Sequence, residues 1–186
     1  VKHHIKVVVL DRPNPLGGEK MEGNLVEDDC VSFVSQFRVP YVYGLTPGEV
    51  ALLLNGEGML GGRCDLTVVK MKGWKRRMTY ADTGLPWVLS SPHIPEASTA
   101  PFYSITGIIG ELTSISIGVG YTLPFKLIGA EWVKAQDFAD AMNALHLPGY
   151  TFRPLYYTPY YGQGKGKELQ GAQVYTTDYT KASLCD

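Results

Sequence analysis

The chain has 186 residues, 45% of them hydrophobic, and its 17 basic and 18 acidic side chains leave a net charge of -1. This is enough for one domain or two small ones with a buried core. The charge balance argues against a nucleic-acid surface, which needs a clustered basic excess, and no run of about 18 apolar residues is present to span a membrane.

Ile5 to Leu10 is a near-continuous apolar run and predicts an interior strand, Val7 to Leu10, in a mainly parallel sheet. It ends at Asp11-Arg12-Pro13-Asn14-Pro15, a turn with little freedom because proline fixes its own φ and holds the preceding residue extended. In an open α/β sheet, ligands bind just past the carboxyl ends of strands. That makes this turn the first candidate site.

Asp28 to Phe37 reads as a weak helix and Val39 to Tyr43 as a short strand. Thr46-Pro47-Gly48-Glu49 is a strong helix start, with threonine at the N-cap, proline in the first turn and glutamate closing a capping box. Thr46→Ala should cost about 1 kcal/mol. Val50, Leu53 and Leu54 share a face, and Asn55-Gly56 stops the helix. Asp65 to Met71 alternates and is β-branched, so it predicts a strand.

Residues 73 to 130 are rich in glycine, proline and hydroxyls and are expected to fold as short strands and turns that build a binding surface. Trp132 to Leu145 predicts a helix with Phe138, Ala141, Met142 and Leu145 buried, ended by Pro148-Gly149. Thr151 to Tyr157 and Ala172 to Thr177 predict strands around a mobile glycine-rich loop at residues 162 to 167. The fold class expected is α/β, the end of a doubly wound, mainly parallel sheet (residues 1–72) followed by part of an appended α+β domain (residues 73–186).

Several chemistries find no support. The glycine run lacks P-loop spacing, no GxGxxG follows a strand, and no Gly-x-Ser-x-Gly elbow occurs. Cys30, Cys64 and Cys185 form neither a CxxC pair nor a metal spacing, and their odd number argues against a complete disulfide framework. No cofactor and no metal are therefore expected. Lys72, Lys75, Arg76 and Arg77 around Trp74 read as a solvated loop. The chain starts at Val1 without a legible signal peptide, and both ends read as cut, so a segment of a longer protein is expected.

An ordered set of segments points further. It comprises Leu10 to Gly18, Met21-Glu22-Gly23, Tyr43 to Glu49, Asn55-Gly56-Glu57, Thr83 to Trp87, Ser90 to Pro95, Gly110 to Thr113, Pro124-Phe125 and Gly129 to Trp132. In order and spacing this set resembles the NamZ-type exo-β-N-acetylmuramidases over nearly the whole chain. The resemblance implies a bacterial, exported (periplasmic or secreted) glycosidase that removes terminal N-acetylmuramic acid from peptidoglycan fragments. It implies a Rossmann-like domain joined to a smaller C-terminal domain, with the family's active site in a cleft. It also implies that the N-terminal portion, with a proposed catalytic glutamate, and the final stretch lie outside this chain. Tyr43 stands where many members have histidine, and His93 where many have asparagine.

Glycoside hydrolysis commonly needs two carboxyl groups. Asp11 and Glu111 are the catalytic candidates, chosen over Asp82, Asp178, the capping residue Glu49 and Glu22. The alternative for Asp11 is a salt bridge to Arg12 or a cap on local backbone amides. Glu111 stands among small and apolar residues, where partial burial would suit a general acid; the alternative is a hydrogen-bonding residue that orders the Thr113 to Thr122 loop. Arg12, then Arg153, would recognise the lactyl carboxylate of a muramyl glycan. Asn14, Glu22, Tyr43, Ser91 and His93 complete the expected sugar contacts, with Tyr103 a possible apolar platform, and the residues in motif loops are expected to share one concave surface. The competing reading is a non-catalytic cell-wall glycan-binding module, and a third is a structural remnant without a ligand.

Overall fold

Val7–Leu10 forms β1 and pairs in parallel with β4 (Leu66–Val69), Val7 opposite Leu66 and Leu10 opposite Val69. In this computed structural model, which describes residues 1–185, the fold is mixed α/β with small parallel and antiparallel sheets. It divides into two units, Val1–Pro86 and a second that begins at Trp87.

The strand at Val7 is as expected, but it is not interior. Its sheet has two strands, so β1 lies at an edge, and Val8 and Leu10 are 52% and 73% exposed. An unbroken β-branched run is the pattern of a strand covered on both faces. The element that packs against both β1 and β4 is α1 (Pro47–Gly56).

β2 (Glu22–Leu25) and β3 (Pro40–Val42) form an antiparallel hairpin. The helix expected over residues 28–37 does not form. A single 3-10 turn spans Asp28–Cys30, and Ser32 and Ser35 then exchange backbone hydrogen bonds of 3.1 Å around a tight turn that leaves Phe33 and Val34 90% exposed. A short helix is marginal without a surface to bury its apolar face against, and none reaches this tip.

α1 begins as the sequence predicts. Thr46 Oγ1 accepts from the Glu49 N–H at 3.2 Å, and Glu49 Oε2 accepts from the Thr46 N–H at 2.9 Å. At the far end, the Asn55 side chain accepts from the Cys64 N–H at 2.8 Å and donates to the Cys64 carbonyl at 3.1 Å, which fixes the chain ahead of β4.

The first compact unit runs on to Pro86. The Gly18 N–H donates to the Arg76 carbonyl at 2.7 Å, and the Arg76 guanidinium donates to the Gly44 carbonyl at 2.9 Å and pairs with Glu49 at 2.8 Å. These bonds hold the 73–86 stretch to the first unit.

The second unit is built on a three-stranded antiparallel sheet in the order β5 (Leu127–Ala130), β7 (Leu169–Thr176), β6 (Tyr150–Tyr157). α3 (Ala135–Ala144) packs against β6 and β7. Its buried stripe is Ala135, Phe138, Ala139 and Met142, at helical i, i+3, i+4, i+7 spacing. Ala141 and Leu145, expected inside, are exposed, and the helix starts at Ala135 rather than Trp132. The Asn143 side chain clamps the Phe152 N–H at 2.9 Å and carbonyl at 2.8 Å, which sets α3 against β6.

The largest departure is α2 (Ala100–Gly110), inside the stretch expected to hold only strands and turns. Its sequence, APFYSITGIIG, is poor in strong helix formers. Burial decides here: Phe102, Ser104 and Thr106 turn inward, and Thr106 Oγ1 bonds the carbonyls of Phe102 (3.1 Å) and Phe125 (2.9 Å). Pro101 sits in the first turn, where no intrahelical N–H is needed.

The core of this unit gathers Phe102, Phe125, Phe152 and Val174, with a second cluster of Leu127, Tyr157 and Leu169. The Tyr157 hydroxyl is buried, and burial pushes its pKa up to about 12, with the Ser116 side chain beside it pulling the other way. Above the ordinary tyrosine pKa the unfolded chain releases a proton that the folded chain retains, so stability falls as pH rises from about 10 to about 12. Denaturation midpoints measured across that window should fall for the wild type. Most of that fall should disappear in Tyr157→Phe; an identical fall in the variant would assign the titration elsewhere.

Among the described residues, no helix is long and apolar enough to cross a membrane, and no three His, Cys, Asp or Glu side chains gather where a metal could be held.

Candidate functional site

In the first unit, the end of β1 feeds the Asp11–Pro15 turn toward the start of α1. Asp11 Oδ2 accepts from the Thr46 hydroxyl at 2.9 Å, and Oδ1 accepts from the Gly48 N–H at 2.8 Å and the Arg12 N–H at 3.0 Å. The carboxylate therefore serves unsatisfied donors at a helix N-terminus, where negative charge is favoured. Gly48 has to be glycine for this: a Cβ there would stand 2.6 Å from Val68 Cγ1 and 2.7 Å from Asp11 Cγ.

Asn14 is also occupied locally. It accepts from the Leu16 N–H and donates to the Leu45 carbonyl, both at 2.9 Å. The Arg12 guanidinium, by contrast, is exposed and makes no hydrogen bond or ion pair among the described residues. Glu22 lies on β2 and pairs with Lys20 at 3.4 Å, and Tyr43 is part-exposed just past β3. A cavity of about 340 Å³ opens beside Pro13, walled by Trp74, Met71, Met78 and Leu85. The Trp74 indole N–H beside it is buried without a hydrogen-bond partner among the described residues.

In the second unit, Glu111 is the C-cap of α2 and is exposed, so the partial burial expected of it is not found. Its carboxylate makes no hydrogen bond among the described residues, so it does not order the loop that follows by that means. It stands at a cavity of about 330 Å³ together with Tyr103, Ser116, Phe125, Val119 and Gln163. Tyr103 meets Phe125 edge-on, at 5.0 Å between ring centres and 84°.

His93 and Ser91 lie in a turn ahead of α2, and His93 Nε2 is 3.0 Å from the Tyr161 hydroxyl. The glycine-rich segment, expected to be mobile, is a succession of turns. The Tyr160 N–H donates to the Gly120 carbonyl at 2.7 Å, and the Gly166 N–H donates to the Pro159 carbonyl at 2.9 Å. Tyr161 at His93 and Gln163 at the cavity are thus two residues apart on one anchored segment. Arg153 lies elsewhere in this unit. It donates to Gln173 Oε1 at 2.8 Å, beside a separate cavity of about 430 Å³ near Lys126 and Tyr175.

The model for the N-terminal domain of exo-β-N-acetylmuramidase NamZ matches residues 1–98, and that for its C-terminal domain matches residues 101–185. The chain belongs to the NamZ family. It is 46% identical over 177 residues to a peptidoglycan β-N-acetylmuramidase NamZ of Bacillus subtilis (strain 168), covering 95% of this chain and 42% of that protein. A crystal structure of a DUF1343 family protein from Bacteroides fragilis NCTC 9343 superposes with a TM-score of 0.96 at 58% identity, over 98% of this chain and 48% of that one. A second DUF1343 protein of the same organism gives 0.69 at 28% identity, over 92% of this chain and 44% of that one. This NamZ-family chain thus spans about half the length of the relatives it matches.

The expected site residues of this NamZ-family chain divide between the units. Asp11, Arg12, Asn14, Glu22 and Tyr43 fall in the first, and Ser91, His93, Glu111 and Arg153 in the second. Within the second, the chain folds so that Glu111 and Tyr103 share a cavity with Gln163, and His93 meets Tyr161 two residues before it. Sequence reasoning missed Tyr161 and Gln163. The available signal was a tyrosine run leading into glycines, Tyr160-Tyr161-Gly162-Gln163, but nothing in that string reveals that it docks on Gly120.

Proposed function

We propose that this chain is part of an exo-acting peptidoglycan glycoside hydrolase that releases terminal N-acetylmuramic acid. The observation that carries the reading is the match to both NamZ domain models, together with 46% identity to a peptidoglycan β-N-acetylmuramidase over 95% of the chain. On this reading the parallel pair β1–β4 belongs to a larger Rossmann-like sheet. The exposed apolar residues Val8, Leu10 and Val69 support that, because strands of this composition are normally covered. The whole protein is exported and acts on muramyl glycans outside the cytoplasm.

Of the two catalytic candidates, Glu111 is the one with a carboxylate free to act on a ligand, at the edge of a sugar-sized cavity. Asp11 is already bound by three donors. A glycosidase of the common type needs a second carboxyl across the scissile bond, and in this proposal the longer protein supplies it. Arg12, its guanidinium unpaired among the described residues, is the cation for the lactyl carboxylate.

The test is release of chromophore from a chromogenic N-acetyl-β-muramide by the longest reading frame containing this chain, beside the 186-residue chain alone. The longer protein should turn over and the chain should not. Arg12→Ala in the longer protein should raise KM for the muramide by about tenfold and leave the matching N-acetylglucosaminide little changed, as expected for one charge-assisted contact. Equal losses on both substrates would remove Arg12 from lactyl recognition. The engagement of Asp11 in capping favours a second reading, a glycan-binding module without hydrolysis; binding with no turnover by the longer protein would establish it.

A further inference from the structure

The cavity at the end of α2 holds polar capacity that the fold does not use. Gln163, Tyr103 and Glu111 all line it, each exposed, and none of their side-chain polar groups makes a hydrogen bond among the described residues. The same lining includes the apolar side chains of Ile117, Val119 and Phe125. Gln163 is carried on a segment held by the Tyr160–Gly120 backbone bond, and Gly162 lies close enough to the Val119 carbonyl that an added Cβ would be 3.2 Å from it. The carboxamide is therefore presented from an anchored backbone.

We propose that this cavity seats the 2-acetamido group of an amino sugar and that Gln163 is the residue that selects for it. Resting on the glycan reading above, the inference adds which part of the sugar enters here. Gln163 Nε2 donates to the acetyl carbonyl, and the acetyl methyl lies against Ile117 and Val119. Tyr103, its ring braced edge-on by Phe125, forms the side against the sugar ring.

An acetamido group has one acceptor, one donor and one methyl, and a site for it needs a polar group set beside apolar surface. A plain 2-hydroxyl would reach the polar group but leave the apolar wall unfilled. A site that pairs the acetamido group discriminates against a ligand that lacks it, because both the hydrogen bond and the methyl contact are then lost. Glu111 remains available to the oxygens of the sugar.

The experiment is a ligand-observed NMR titration of the longest reading frame containing this chain with methyl N-acetyl-β-glucosaminide and with methyl β-glucoside, which differ only at position 2. The acetamido glycoside should bind about tenfold more tightly or better, and Gln163→Ala should bring the two affinities within about twofold. Gln163→Glu, which keeps the size but loses the amide donor, should behave like the alanine variant. Equal affinity of the two glycosides, absence of binding, or a preference untouched in Gln163→Ala would each overturn the proposal. Turnover of the chromogenic muramide by the longer protein is read separately. Its absence with acetamido binding intact sinks the hydrolase reading alone, and its presence with an unchanged preference in Gln163→Ala sinks the Gln163 assignment alone.

Discussion

Asp11→Ala should destabilise the first unit by about 3 kcal/mol, the sum expected for hydrogen bonds to a charged acceptor and a lost anion at a helix N-terminus. The carboxylate ties the end of β1 to the Thr46 hydroxyl and the Gly48 N–H, so its loss releases the strand from the helix as well as uncapping α1. Asp11→Asn retains acceptor capacity without the charge and should fall between wild type and alanine. With Trp87 and Trp132 replaced by phenylalanine, the fluorescence of Trp74 in urea reports this unit. Thr46→Ala combined with Asp11→Ala should cost less than the two separately, since they share one bond. An unchanged midpoint in Asp11→Ala would refute the capping role. A stable Asp11→Asn protein with abolished muramide turnover would instead restore Asp11 as a catalytic group.

Gly120→Ala should have the largest effect on the second unit's site. Gly120 has φ +93°, and a Cβ there would stand 1.9 Å from the Tyr161 carbonyl oxygen, so the Tyr160–Gln163 segment must move by about 1 Å or more. The shift would break the 2.7 Å bond from the Tyr160 N–H, draw Tyr161 from His93 and displace Gln163 from the cavity. A displacement of that size costs about 10²-fold in rate for a positioned substrate. The measurement is kcat/KM on the chromogenic muramide in the longer protein, with far-UV circular dichroism to establish that the variant is folded. Tyr161→Phe, which removes only the hydroxyl, should lose far less. Near wild-type activity in a folded Gly120→Ala protein would mean that the segment's position does not matter to the reaction.

Local signals were legible where the physics is local. The Thr46 capping box is contained in four consecutive residues, and the structure forms both of its bonds. β1, β4, β6 and β7 follow from β-branched or alternating composition over a few residues. The family, too, was readable from the ordered motifs, because their spacing is a property of the string.

What the string did not hold was decided by packing. α2 forms from residues with poor helix propensity because Phe102 and Thr106 gain burial and partners on Phe125, more than twenty positions beyond Phe102. The 28–37 segment, similar in apolar content, finds no such surface and stays a turn. The same division runs through the site. That Asp11 and Glu111 carry carboxyl chemistry is written in the sequence. That Asp11 spends its oxygens on a helix start 35 residues away, while Glu111 faces an open cavity with Gln163, depends on which donors the folded chain brings within hydrogen-bond reach. A carboxylate's role is set by what surrounds it, and its surroundings here come almost wholly from residues distant in sequence.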